Sequence, residues 1–256
     1  MNLTNSYPSL QDKVVFITGG ATGIGASLVE AFCRQHARVV FVDIQDDAAA
    51  QLIASVSGIG QASTPQYFHC DLLDIDSLKA VVSRVRDEIG PVAVLVNNAA
   101  NDTRHDFRKV TVNYWNDRIN TNLRHYFFAI QAVHPHMQAL GGGAIINFGS
   151  MSWYESQGNM TGYTTAKAGI EGMTRGLARD LGQDNIRINT LVPGWVMTPR
   201  QLREWVDVDT EQEIARSQCL KQRLQPEDIS AMALFLASDD SRMCTAQSYI
   251  VDGGWI

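Results

Sequence analysis

Two residues in the run Gly162-Tyr-Thr-Thr-Ala-Lys-Ala-Gly169 could do chemistry together: the phenol of Tyr163 and the ammonium of Lys167, four positions apart. On a helix, residues i and i+4 share one face, so the two side chains feel each other's charge. A free phenol ionises near pH ~10 and is a poor base at neutrality. A neighbouring cation favours its anion, and a phenolate can take a proton from a substrate hydroxyl. Taken alone, the pair reads as an exposed aromatic beside a solvated lysine, and the rest of the chain must overturn that reading.

A second chemical signal lies near the start. The stretch Thr18-Gly19-Gly20-Ala21-Thr22-Gly23-Ile24-Gly25 follows a short apolar run and opens an amphipathic one. Glycines at a strand-to-helix turn let backbone approach a pyrophosphate, whose charge then sits on the helix's first N–H groups. Gly19, Thr22, Gly23, Ile24 and Gly25 are therefore cofactor-binding candidates, although any tight turn of this kind can use glycine. Asp43 closes the next apolar run eighteen residues after Gly25. An acid there can accept from ribose hydroxyls and repel a 2′-phosphate, and no Lys or Arg directly follows it, which favours NAD over NADP. Its competing role is a strand-end turn residue. Asp71, at the end of the third apolar run, is placed either to meet the adenine amino group or to cap a helix.

These groups need a scaffold. Apolar β-branched runs recur at Lys13–Ile17, Arg38–Val42, Gln66–Cys70, Val92–Val96, Ala144–Asn147, Ile186–Leu191 and Gln247–Val251, with helical stretches between most of them. That rhythm implies βαβ crossovers and a single α/β domain of the doubly wound, Rossmann type: a mainly parallel seven-stranded sheet flanked by helices over residues 13–256. Residues 1–12 are polar, contain Pro8 and read as a tail draped over the surface. Residues 197–225 break the rhythm as an insertion able to cover a pocket, with Thr210 and Glu213 spaced as a capping box for a helix starting near Glu211.

Bulk properties exclude several classes. The chain has 256 residues, 45% of them hydrophobic, enough for one large core. A net charge of −6 with scattered basic residues argues against nucleic acid. No apolar run suits a membrane span, and the opening MNLTNSYPSLQDK lacks a signal-peptide pattern, so a cytoplasmic location is expected. Cys33, Cys70, Cys219 and Cys244 lie far apart and are expected as buried thiols. His134-Pro135-His136 lacks carboxylate or cysteine companions, so no metal is expected.

Read together, the glycine turn, Asn97-Asn98-Ala99-Ala100, Asn122-Leu123, Ser150, Tyr163-x-x-x-Lys167, Pro193-Gly194 and Asp252-Gly253-Gly254 resemble the short-chain dehydrogenase/reductase family, from Lys13 to Ile256. Ala100, Gly149, Ala166 and His125 depart from its usual pattern without removing a reacting group. The resemblance implies a catalytic set of Ser150, Tyr163, Lys167 and Asn122. In it Tyr163 is the base, Ser150 holds the reacting oxygen, Lys167 also grips the nicotinamide ribose, and Asn122 helps hold a water on a proton path. It further implies that Leu72, Asn98, Ala99, Tyr163, Lys167, Pro193, Gly194, Val196 and Thr198 join the cofactor site, and that the chain forms a homotetramer through helices near 115–140 and 163–182. The runs from Asn101 to His105, Asn122 to His125, Ile146 to Trp153 and Ala168 to Arg175 look like the bacterial aldose 1-dehydrogenases of that family. These act on sugars such as D-xylose, L-arabinose, D-galactose or L-fucose. On that reading a monosaccharide meets Ser150, Trp153, Asn101, Arg104, Gln157, Asn159 and Trp195, and hydride leaves its C1 for NAD. The competing readings are a 3-oxoacyl or other carbonyl reductase and a silent NAD-binding regulator.

Overall fold

The computed structural model describes residues 5–60 and 62–256. Its centre is one parallel sheet of β1 (Val14–Thr18), β2 (Arg38–Asp43), β3 (Gln66–His69), β4 (Val92–Asn97), β5 (Gly143–Phe148), β6 (Ile186–Pro193) and β7 (Ser248–Val251) in the order β3-β2-β1-β4-β5-β6-β7. A parallel sheet is covered on both faces, which is why the strands are apolar without alternation: all five residues of β1 are buried.

Successive side chains nevertheless enter opposite layers. Val15, Ile17, Val39 and Phe41 face one core with helix α1 (Gly23–Arg34) and the late helix that follows Gln225, whereas Val14, Phe16, Val40 and Val42 face the other. In chain order the remaining helices are α2 (Asp46–Ser57), α3 (Ile75–Glu88), α4 (Val112–Ile119), α5 (His125–Ala139), α6 (Thr161–Leu181), α7 (Pro199–Glu204), α8 (Val208–Ser217) and α9 (Pro226–Ala237). Fully burying a side chain such as Phe16 contributes roughly 1.5–3 kcal/mol, and the two layers multiply that gain.

Strand order reverses between β1 and β4, and such a switch point opens a crevice at the carboxyl ends. Thr18 ties the two ends together, its Oγ1 accepting from the backbone N–H of Asn98 at 3.0 Å and of Ala99 at 3.2 Å.

Several elements depart from expectation. Within the tail, residues 1–4 lie outside the described residues, and Leu10 is not draped but fully buried in the first core layer, carried there by a 3-10 turn that begins at Pro8. The helix near 115–140 starts earlier, where the Thr111 hydroxyl accepts from Tyr114 N–H, and is broken by a π-helical turn over Asn120–Arg124. In the insertion, α8 is capped by Asp207 rather than Thr210. Asp207 Oδ1 accepts from both the N–H and the hydroxyl of Thr210, because a carboxylate outcompetes a hydroxyl as acceptor. Cys33 and Cys70 are buried, but Cys219 is exposed. Among the described residues no helix is long and apolar enough to cross a membrane.

Candidate active site

The glycine turn between β1 and α1 floors a cleft of about 1090 Å³ that runs along the carboxyl edge of the sheet. Gly19 has φ +66°, and a Cβ there would lie 2.8 Å from Ala99 Cα. A Cβ on Gly25 would sit 1.9 Å from the Gly19 carbonyl oxygen, so no side chain fits. Asn98 Nδ2 holds that carbonyl at 2.8 Å. Thr22 stands at the helix N-cap, but its side chain accepts no capping bond, so the first N–H groups of α1 keep their affinity for an anion.

At the end of β2, Asp43 is only 8% exposed. Its Oδ2 accepts from Ala21 N–H at 3.0 Å, and its Oδ1 from Ile44 N–H at 2.8 Å and Gln45 N–H at 3.1 Å. The acid thus both braces the turn and lines the cleft. Asp71 lines it too, with Oδ1 accepting from Leu73 N–H, while the cap of α3 is Asp74; of the two roles open to Asp71, the cap is excluded. Leu72, Asn98, Ala99, Pro193, Gly194, Val196 and Thr198 border the same space. A glycine floor without room for Cβ atoms, an uncapped helix N-terminus and a buried acid beyond it suit a dinucleotide.

Tyr163 and Lys167 stand one turn apart on α6, and both line this cleft with Ser150, which leaves the end of β5. Lys167 Nζ is 5.5 Å from the Tyr163 ring centre and donates to the Phe148 carbonyl at 2.7 Å and to Tyr126 Oη at 3.2 Å. Burial brings its pKa down to about 7. The phenol behaves differently from the expectation that its helical neighbour acidifies it. Burial, and then the charge of Asp102, push Tyr163 up to about 12, against opposing effects from a Ser150 hydrogen bond and from Arg104 and Arg200. Lys167 does not offset this, its ammonium donating to the Phe148 carbonyl and Tyr126 hydroxyl. Ser150 caps the 3-10 turn that follows it, its Oγ accepting from Ser152 N–H at 3.2 Å and its hydroxyl donating to Ser152 Oγ at 2.9 Å. The departure at Gly149 is explained: a Cβ there would come 2.9 Å from Thr190 Cγ2 and 3.0 Å from Val192 Cγ2.

Asn122 lies in the π-helical turn, fully buried. Its Nδ2 donates to the Arg118 carbonyl at 2.9 Å, and its Oδ1 accepts from Asn101 N–H at 2.7 Å. The amide stitches the helix to the loop after β4, and π-turns of this kind cluster at functional sites. His125 packs behind it without exposure, its pKa brought down to about 3 by burial and by the Lys167 charge.

The expected substrate residues divide. Asn101, Arg104, Gln157 and Trp195 line the cleft. Trp153 and Asn159 do not. The Trp153 indole donates to Glu171 Oε1 at 3.0 Å and stacks on Tyr154, an internal contact that takes it from the cleft. Asn159 has φ +59° and serves as a turn residue whose carbonyl accepts from His105 N–H. Asp102, Glu155, Met160, Arg200 and Gln201 also form the wall, beyond the residues that the sequence suggested. Asp102 directly follows Asn101 and had a positional signal. Arg200 and Gln201 had one only through Thr198, whose hydroxyl caps α7. His134, part of the histidine pair, lies 2.7 Å from Asp184 and does not border the cleft.

Comparison with known proteins agrees with this geometry. The family model described as Enoyl-(Acyl carrier protein) reductase matches residues 19–256. The chain is 51% identical to the D-xylose 1-dehydrogenase of Caulobacter vibrioides over 97% of this chain and 98% of that one. It is 46% identical to a probable galactose dehydrogenase of Rhizobium meliloti over 98% of each. A 7α-hydroxysteroid dehydrogenase solved with NADH and 7-oxo glycochenodeoxycholic acid superposes with a TM-score of 0.90 at 31% identity, covering 98% of this chain and 96% of that one.

Proposed function

The chain belongs to the short-chain dehydrogenase/reductase family, and we propose that within it the protein oxidises an aldose at C1 to the aldonolactone with NAD. It is an oxidoreductase of a family that uses nicotinamide cofactors. The observation that carries the substrate class is the near-full-length identity to the xylose enzyme, in a chain that keeps Ser150, Tyr163 and Lys167 on one cleft.

The residues divide the work. Bound NAD supplies the hydride acceptor. The α1 N-terminus and glycine turn would hold its pyrophosphate, Asp43 and Asp71 its adenosine, and Pro193, Gly194, Val196 and Thr198 would border the nicotinamide. Ser150 orients the anomeric hydroxyl and Tyr163 takes its proton. Because burial holds the phenol at about 12 in the chain alone, its activation depends on positive charge brought near it, from Lys167 and from the cofactor. Lys167, with a pKa brought down to about 7, can carry the proton onward, and Asn122 in the π-helical turn would help hold a water on that path. Asp43, buried and already accepting from three backbone N–H groups, has neither room nor charge for a 2′-phosphate, which supports NAD over NADP. Exposed Val112, Trp115 and Phe127 on α4 and α5 support a homotetramer, which sedimentation of the native protein would show as four chains.

The test is a panel of aldoses and secondary alcohols with NAD and with NADP, followed by absorbance of reduced nicotinamide. The expected result is aldose-dependent reduction of NAD, with NADP poorer. Turnover of a 3-hydroxyacyl thioester without any aldose would assign the chain to the carbonyl reductases instead.

A further inference from the structure

Beside the reacting pair lies a second phenol that the oxidation described above leaves without a role. Tyr126 belongs to α5, is fully buried and does not border the cleft. Its hydroxyl donates to the Phe148 carbonyl at 3.4 Å and accepts from Lys167 Nζ at 3.2 Å, while Nζ donates to the same carbonyl at 2.7 Å. The three groups close a triangle. With its proton committed to the carbonyl, the Tyr126 oxygen turns a lone pair to the ammonium. Burial, and then the charge of Tyr163, push Tyr126 well above the usual phenol range, so it stays neutral and is no rival base.

Lys167 is 1% exposed, and burial works against its charge. An ammonium has three N–H donors, and acceptors inside the protein are what keep it protonated there. Tyr126 and the Phe148 carbonyl supply two, leaving one N–H for the cleft that Lys167 lines. Three other titratable groups surround it. The Tyr163 ring centre on α6 lies 5.5 Å from Nζ, His125 on α5 is neutral, and the Asp102 charge after β4 favours the ammonium from a distance. Tyr126 is therefore the side chain that holds the lysine directly.

Resting on the reading of Tyr163 as the base, we propose that Tyr126 is a positioning residue whose hydroxyl oxygen keeps Lys167 protonated and directed at the cleft. It thereby sets how much of the enzyme carries the phenolate. The active form pairs phenolate with ammonium, and it competes with a form of equal proton count, phenol with neutral amine. Taking an acceptor from the ammonium favours the second form.

A distinctive pH profile follows. Lys167, at about 7, titrates before Tyr163, at about 12, so the rate rises through the lysine's titration and then levels. At acid pH the lysine is charged with or without Tyr126 Oη, and the hydroxyl makes no difference. The experiment measures kcat for Tyr126→Phe and the unmodified enzyme, at saturating NAD and alcohol, across the pH range in which both are folded. Losing a hydrogen bond to a charge is expected to lower the plateau roughly 10- to 100-fold and to move the rising limb about 1–2 pH units toward acid, so that the two rates meet at the acid end. Thermal denaturation and NADH titration report folding, and Tyr126→Leu, which also removes the acceptor, is expected to repeat the displacement of the limb. A loss by the same factor at every pH is what a packing defect gives and would overturn the inference, as would an unchanged profile. Should no aldose be oxidised, the profile is taken with the alcohol that is, so failure of the sugar reading is seen separately. Full turnover by Tyr163→Phe would refute the base reading and this inference with it.

Discussion

His125 and Lys167 place two ionisable nitrogens in one dry region, and each lowers its proton affinity there. His125 is neutral with a pKa brought down to about 3, against an ordinary 6.5. Between those values the unfolded chain binds a proton that the folded chain refuses, so stability falls as pH is lowered through that window and is unaffected by this group above it. The full effect is on the order of a few kcal/mol, since each tenfold loss of proton affinity corresponds to about 1.36 kcal/mol. Replacing His125 with Gln is expected to flatten the fall in denaturation midpoint between pH 6.5 and acid, and an unchanged slope would show that the imidazole is not the titrating group. For Lys167 the same sign applies higher up: its pKa of about 7 against 10.5 makes stability rise with pH across that interval. Tyr163 shows why a residue pair is an incomplete guide to acidity. Spacing places the ammonium beside the phenol, but burial and Asp102, which spacing does not report, decide the direction.

The strand–turn–helix unit from Val14 to Arg34 converts sequence into a binding surface most directly. Gly25 is the tightest point, with a Cβ position 1.9 Å from the Gly19 carbonyl oxygen. Gly25→Ala must displace the turn, and it is expected to raise the cofactor dissociation constant at least about tenfold while leaving the sheet intact, since each lost charge-assisted hydrogen bond contributes ~1.5–3 kcal/mol. Unchanged cofactor affinity, measured by fluorescence titration, would remove the turn from the site. The five inner strands, and the edge at which the site sits, were legible in the sequence because buried parallel strands must be apolar throughout, whereas the outer β3 and β7, partly exposed and carrying polar residues, were legible through the repeating alternation of strand and helix. Less legible were features set by competition between neighbours. Asp207 displaces Thr210 as a cap because it is charged, and Trp153 turns inward because Glu171 offers a carboxylate that also binds Tyr154 and Ser248. The Asn120–Arg124 π-turn left no periodic signal, although Asn122, the residue it serves, was found through the family pattern.

Across the molecule, one cleft joins two chemically distinct ends. The end floored by glycine and edged by Asp43 and Asp71 suits a dinucleotide, and the end walled by Asn101, Asp102, Arg104, Gln157, Arg200 and Gln201 suits a hydroxyl-rich substrate. The half-buried phenol of Tyr163 lines the same cleft with Ser150, one helical turn from Lys167. Proton removal by that phenol is therefore the step on which the proposed oxidation depends. Its most direct test compares the unmodified enzyme with Tyr163→Phe, using NAD and the preferred aldose, with turnover and NAD dissociation constant measured on the same preparations. The rate is expected to fall by about 10²- to 10⁴-fold, the contribution of a positioned base, while NAD binding changes little. Turnover retained by Tyr163→Phe, at a rate near that of the unmodified enzyme, would contradict the role of the phenol as base.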